Sequence, residues 1–87
     1  VLDAFLESID DLLASLKSRS VDESNETIWR WAHSIKSSAA SIGMMKLATI
    51  ARTLEEKLKQ GLAVDVDLLV SQIEDEYNLG RELLNSR

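Results

Sequence analysis

The chain has 87 residues, 45% of them hydrophobic, with 15 acidic and 10 basic side chains and a formal net charge of −5. A chain this short makes one small domain over residues 1–87 that buries only about 60–65% of its unfolded surface, so it needs a regular and densely apolar core. The acidic balance argues against nucleic acid as a partner; with no cysteine there is neither a disulfide nor a thiolate metal site, and with a single histidine a zinc site would need three carboxylates, an unusual ligand set.

No apolar run reaches the roughly 20 residues of a membrane span, and no signal peptide is read. The expected setting is the cytoplasm, without direct membrane contact, and the expected state is a monomer. The chain opens at Val1 rather than at a methionine, which suggests a domain of a longer protein.

Zero proline, three glycines and long stretches of 3.6-residue periodicity predict an all-helical chain. The first helix carries Leu2, Phe5, Leu6, Ile9, Leu12, Leu13 and Leu16 on one side and should end near Ser18. Ser20 followed by Glu23 has capping-box spacing, and Asp22 is a second candidate N-cap, so the second helix is expected to start there. It runs to about Ile42, where Gly43 is placed to end it in a left-handed conformation. The third helix follows at once, with Leu47, Ile50, Ala51, Leu54 and Leu58 inward, and stops at Gly61. Met44 and Met45 at its start read as packing residues.

Asp65 or Asp67 caps a fourth helix whose inward residues are Val66, Leu69, Val70, Ile73, Tyr77, Gly80 and Leu84. Gly80 weakens that helix by about 0.8–1 kcal/mol relative to alanine, which points to a close helix contact. Short connections favour antiparallel neighbours, so the expected architecture is an up-down-up-down antiparallel four-helix bundle.

The second helix carries the chain's one histidine. Its apolar stripe is Ile28, Ala32, Ile35, Ala39 and Ile42, spaced 4, 3, 4 and 3 residues apart. At 100° per residue His33 lies roughly 140° from that stripe, facing outward. Trp29, Lys36, Ser37 and Ala40 share its side. Histidine changes charge near neutrality, and its neutral form is a nucleophile. An exposed imidazole with a lysine one turn on and small neighbours is a poor structural choice and a good chemical one.

The segment His33-Ser34-Ile35-Lys36-Ser37, continuing through small residues to Gly43 and on through Leu47 and the Leu54-Glu55 pair to Gly61, resembles the histidine phosphotransfer (HPt) family of multistep phosphorelays. The family pattern is a histidine, an apolar residue, a lysine and usually a glycine, then small residues and a second glycine ten positions after the histidine. Ser37 stands where most members carry glycine, a version some members share. The resemblance implies a four-helix bundle in which His33 accepts a phosphoryl group from a receiver-domain aspartate and passes it to another. Receiver domains of response regulators or hybrid sensor kinases would then be the partners, supplying the divalent metal and acidic pocket. The domain itself would need no cofactor and would be no enzyme, although the parent chain could be a hybrid histidine kinase; no glycine-rich nucleotide motif is present.

Under that resemblance Lys36 would offset the charge of about −1.5 to −2 that a phosphoryl group adds, against a plain solubilising role. Ser37 could donate to a phosphoryl oxygen or merely bond back to the carbonyl at i−4. Ser37 and Ala40 leave room around the ring for a partner. Glu55 matches a family position near the histidine; it could orient the imidazole or pair with Lys36, or else pair only with Arg52 or Lys59 on its own helix. Trp29 could anchor a docking partner or pack along a helix flank.

From Trp29 to Gln60 six basic residues (Arg30, Lys36, Lys46, Arg52, Lys57, Lys59) accompany two acidic ones (Glu55, Glu56), a charge of +4 against −9 for the rest. An acidic partner would be steered to this hairpin, with Trp29, Arg30, Lys36, Ser37, Ala40 and Glu55 as its expected contacts. Two rivals stand beside the phosphorelay reading. One is a non-catalytic helical protein-interaction module using the Trp29/Ala40 face with His33 incidental. The other is a four-helix hydrolase or metal carrier, which lacks the ligands and carboxylate pairs it would need.

Overall fold

Four helices follow in order, α1 (Leu2–Lys17), α2 (Asn25–Ser41), α3 (Met45–Lys59) and α4 (Val66–Asn85), in a computed structural model that describes residues 2–85. Each packs on its neighbours in the cyclic order α1–α2–α3–α4–α1, and diagonal helices make no close approach among the described residues. Cross-helix pairs give the directions. Lys17 at the end of α1 bonds Glu74 in the middle of α4, whereas Asp10, two turns earlier on α1, meets Arg81, two turns later on α4, at 3.5 Å, so α1 and α4 are antiparallel. His33 against Glu55 and Trp29 against Lys59 show the same for α2 and α3. The expected antiparallel four-helix bundle is the observed one.

The core is the apolar stripe of each helix. Ile9, Leu13 and Leu16 meet Ile28, Ala32, Ile35 and Ala39, then Leu47, Ala48, Ala51, Leu54 and Leu58, then Val70, Ile73 and Tyr77. The stripes of α2 and α3 agree with their periodicity, apart from Ile42 and Ile50, which are half-buried. At the two ends of the chain the expectation was too generous. Leu2 is exposed, Phe5 is half-buried, and Leu84 is half-buried, because the terminal turns of α1 and α4 extend past the neighbours that would cover them. Tyr77 ties α4 to α1 by donating its hydroxyl to the Leu6 carbonyl at 3.0 Å. Burial, with the Asp10 carboxylate adding to it, pushes that phenol up to about 12.

The turns follow local chemistry, with one correction. Ser24, not Ser20 or Asp22, is the N-cap of α2: its side chain accepts from the Thr27 backbone N–H at 3.1 Å. Ser20 instead closes a turn in the connection, its carbonyl accepting from the Glu23 N–H at 3.2 Å. An N-cap side chain reaches the N–H two or three residues on, and Ser24 stands at that distance from Thr27, whereas Ser20 and Asp22 lie too far ahead of it. Asp65 caps α4, accepting from the Leu68 N–H at 3.0 Å, which decides between it and Asp67.

Gly43 and Gly61 sit at φ +82° and +71°. After α2, Met44 N–H donates to the Ala39 carbonyl at 2.9 Å; after α3, Leu62 N–H donates to the Lys57 carbonyl at the same distance. Both are Schellman ends, which need a left-handed residue that glycine adopts without strain. The close contact expected at Gly80 is present: a Cβ there would meet Met44 Cε at 2.9 Å. Met44 is accordingly half-buried and packing, whereas Met45, expected to pack as well, is 61% exposed. At 100° per residue Met45 falls on the side of α3 opposite the stripe Leu47, Ala48, Ala51, Leu54 and Leu58, so it faces away from the core.

Candidate functional site

The α2–α3 hairpin is the most intimate pair in the bundle. Ala32 and Ala39 on α2 and Ala48 and Ala51 on α3 are all buried. Residues this small let two helix backbones come close together, and that brings a side chain of α3 within reach of the outer flank of α2. Glu55 is that side chain. It lies between the buried Leu54 and Leu58, and its carboxylate is only 4% exposed.

Two groups from α2 meet the carboxylate. His33 Nδ1 is 2.7 Å from Oε2, and Lys36 Nζ donates to Oε1 at 2.7 Å. Lys59, one turn on along α3, stands 3.8 Å from Oε2. Among the described residues no buried side-chain polar atom lacks a partner, so the buried carboxylate is satisfied. Burial alone would raise the pKa of Glu55. The hydrogen bonds from Lys36 and then His33, with their charges, outweigh it and hold the carboxyl below its usual value.

The ionised state of Glu55 decides the state of the ring. A carboxylate can only accept, so the hydrogen bond at Oε2 requires a proton on His33 Nδ1. In the neutral imidazole the lone pair is then on Nε2. The side chain of His33 is 53% exposed. One nitrogen is thus held by the carboxylate, and the other carries the lone pair on a side chain that is half exposed.

The other expected site residues fall around this pair in different ways. Lys36 is half-buried and already engaged with Glu55. Ser37 and Ala40 are exposed on the same side as His33 and leave the approach open. The Ser37 hydroxyl makes no hydrogen bond among the described residues, so the back-bond to the i−4 carbonyl is not formed; the Ser37 carbonyl accepts from Ser41 Oγ at 2.9 Å. Arg30 is exposed and pairs with Glu26 at 3.1 Å.

Trp29 is not the exposed anchor that its helix phase suggested. Its ring is half-buried against the core, with the Lys59 ammonium 4.8 Å and the Arg30 guanidinium 5.7 Å from its centroid. Glu55 combines the readings that the sequence left open: it bonds the imidazole and Lys36 and also approaches Lys59. Beyond Lys36 a shallow groove between α2 and α3 is lined by Lys36, Ala40, Met45, Ala48, Thr49 and Arg52. Sequence reasoning gave Lys59 no part in the site. Its signal was the i+4 spacing from Glu55, which reads equally well as an ordinary surface pair.

The model of the Hpt domain family matches residues 1–82. The chain belongs to the Hpt domain family. Hpt domains are phosphotransfer carriers of phosphorelays, not kinases, and they interact with receiver domains. No curated protein and no solved structure matches the chain. In this Hpt domain no helix among the described residues is long and apolar enough to cross a membrane. No group of three or more metal-ligating side chains occurs among them either.

Proposed function

We propose that His33 is the phosphoryl-carrying residue, taking the group from the aspartate of one receiver domain and passing it to the aspartate of another. The observation that carries this reading is the division of labour in the ring. Nδ1 is bonded to an ionised, buried carboxylate, which leaves the lone pair on Nε2, and the side chain is half exposed to solvent. Two different receivers must reach the same atom in turn, and a half-exposed ring on a convex helix face permits that.

The chemistry balances without moving a proton. Nε2 attacks the phosphorus, the Nε2–P bond forms, and the aspartyl oxygen leaves with the electrons of its P–O bond. The ring keeps its Nδ1 proton and becomes a phosphoimidazolium, whose positive charge faces the Glu55 carboxylate. In the onward step a receiver carboxylate attacks phosphorus, and the Nε2–P bond breaks. The leaving group is a neutral imidazole rather than an imidazolate, because Glu55 has held the Nδ1 proton throughout. Glu55 is therefore a positioning residue that supports transfer in both directions.

Lys36, one turn along α2, can exchange one carboxylate bond for phosphoryl oxygens, and Ser37 and Ala40 admit the incoming receiver. The domain works as a monomer in the cytoplasm, without cofactor, metal or nucleic acid. It functions either alone or as part of a hybrid kinase.

Incubation with a phosphorylated receiver domain tests the reading. The chain should take up an acid-labile, base-stable label, as a phosphoramidate does. His33→Gln, altered at an exposed position, should keep its helical spectrum and take up none. Undiminished labelling of that variant would overturn the assignment and leave a non-catalytic interaction module as the better account.

A further inference from the structure

The resting site has one cation more than it needs. Glu55 carries one negative charge and accepts two hydrogen bonds at 2.7 Å, one from His33 Nδ1 and one from Lys36. Lys36 already neutralises it. Lys59 approaches the oxygen that holds the ring, but at 3.8 Å it is beyond hydrogen-bond reach. Its ammonium lies 4.8 Å from the centroid of Trp29, within cation–π range, and is half exposed. The indole and the carboxylate together keep a long, flexible side chain beside His33 without engaging it fully.

We propose that Lys59 is a second phosphoryl-binding cation, kept beside the imidazole by Trp29 and Glu55 in the resting domain and drawn onto the phosphoryl oxygens once Nε2 carries them. The proposal rests on His33 being the phosphorylated residue. Charge counting supports it. The phosphorylated site holds a ring cation, a phosphoryl group approaching two negative charges, and the Glu55 carboxylate. With Lys36 alone one negative charge is left over, and Lys59 cancels it.

The remaining charged groups near this face are placed elsewhere. Arg30 is engaged with Glu26, and Arg52 lines the groove beyond Lys36. Lys59 stands on the opposite side of Glu55, next to Oε2 rather than Oε1. The two lysines therefore flank the ring along α2, Lys36 from the C-terminal side and Lys59 from the Trp29 side.

Phosphorus NMR of the domain phosphorylated with phosphoramidate provides the test. That reagent forms the Nε2–P bond as its own P–N bond breaks and ammonia leaves. A nearby cation favours the fully ionised phosphoryl group, so the pH of its last protonation reports the cation directly. Lys59→Gln should raise that midpoint by about half a unit, about a threefold change in proton affinity, and Lys59→Arg should restore it.

Lys57→Gln, two residues away and turned to another side of α3, should leave the midpoint unchanged. A Lys59→Gln midpoint equal to that of the unaltered domain, or an equal rise in Lys57→Gln, would overturn the role of Lys59. Failure of the unaltered domain to carry label on His33 would overturn the function proposed above, and is told apart by the absence of the phosphohistidine signal itself.

Discussion

Replacing Glu55 by glutamine keeps the volume and shape of the side chain while removing its charge. In the folded domain the carboxylate is almost wholly buried and accepts two charge-assisted hydrogen bonds. Bonds to charged groups contribute about 1.5–3 kcal/mol each when lost outright. Here the loss is partial: His33 and Lys36 regain water, and an amide oxygen still serves one of them. The expected cost of Glu55→Gln at pH 7 is therefore about 1–2 kcal/mol. For a domain of this size that is a fall in melting temperature of roughly 4–16 °C.

The pH dependence has a definite sign. The folded-state pKa of Glu55 lies below its ordinary value of 4.5. Its ionised form thus stabilises the fold fully above about 4.5, and this contribution disappears as acid titrates the folded carboxyl. The gap between the unaltered domain and Glu55→Gln should be full near neutrality and shrink progressively below pH 4.5. Urea unfolding followed by circular dichroism from pH 7 to pH 3 measures it. A gap at pH 3 as large as at pH 7, or no gap at pH 7, would refute the placing of an ionised, hydrogen-bonded carboxylate at this position.

Ile35 is fully buried and Ser34 beside it is exposed, so Ile35→Ala should cost about 2–5 kcal/mol while Ser34→Ala is nearly neutral in thermal melts. Ser24→Ala should cost about 1 kcal/mol through loss of the α2 cap; Ser20→Ala, which keeps the carbonyl that closes the connecting turn, should cost little. Single-turnover transfer from a phosphorylated receiver should slow as ionic strength rises, since the basic hairpin accelerates encounter with an acidic pocket. Lys36→Glu should slow that transfer far more than Lys36→Ala, and Lys17→Glu, on α1 and paired with Glu74, should leave the rate unchanged.

Much of this molecule is readable along the chain because the forces that shape it act between near neighbours. The apolar stripes of four helices, the outward phase of His33, and the left-handed stops at Gly43 and Gly61 all depend on residues within a few positions of one another. The N-cap of α2 was misplaced because Ser20, Asp22 and Ser24 are all chemically competent caps. Which one is used depends on where the helix must begin to pack on α1, and no local rule encodes that. The half-burial of Trp29 depends in the same way on how α3 packs beside α2.

The chemistry of the site was decided at longer range. Sequence alone placed a nucleophile on an exposed face with a lysine nearby, and it left Glu55 with several partners to choose from. Close packing of α2 on α3 through four alanines settled that choice by carrying a carboxylate 22 residues away to within 2.7 Å of the imidazole. Burial of that carboxylate, offset by two donors, keeps it ionised and so determines which ring nitrogen bears the proton. Helix periodicity specifies which way a side chain points, but a hydrogen bond between two helices exists only once their separation and rotation are established by the whole core.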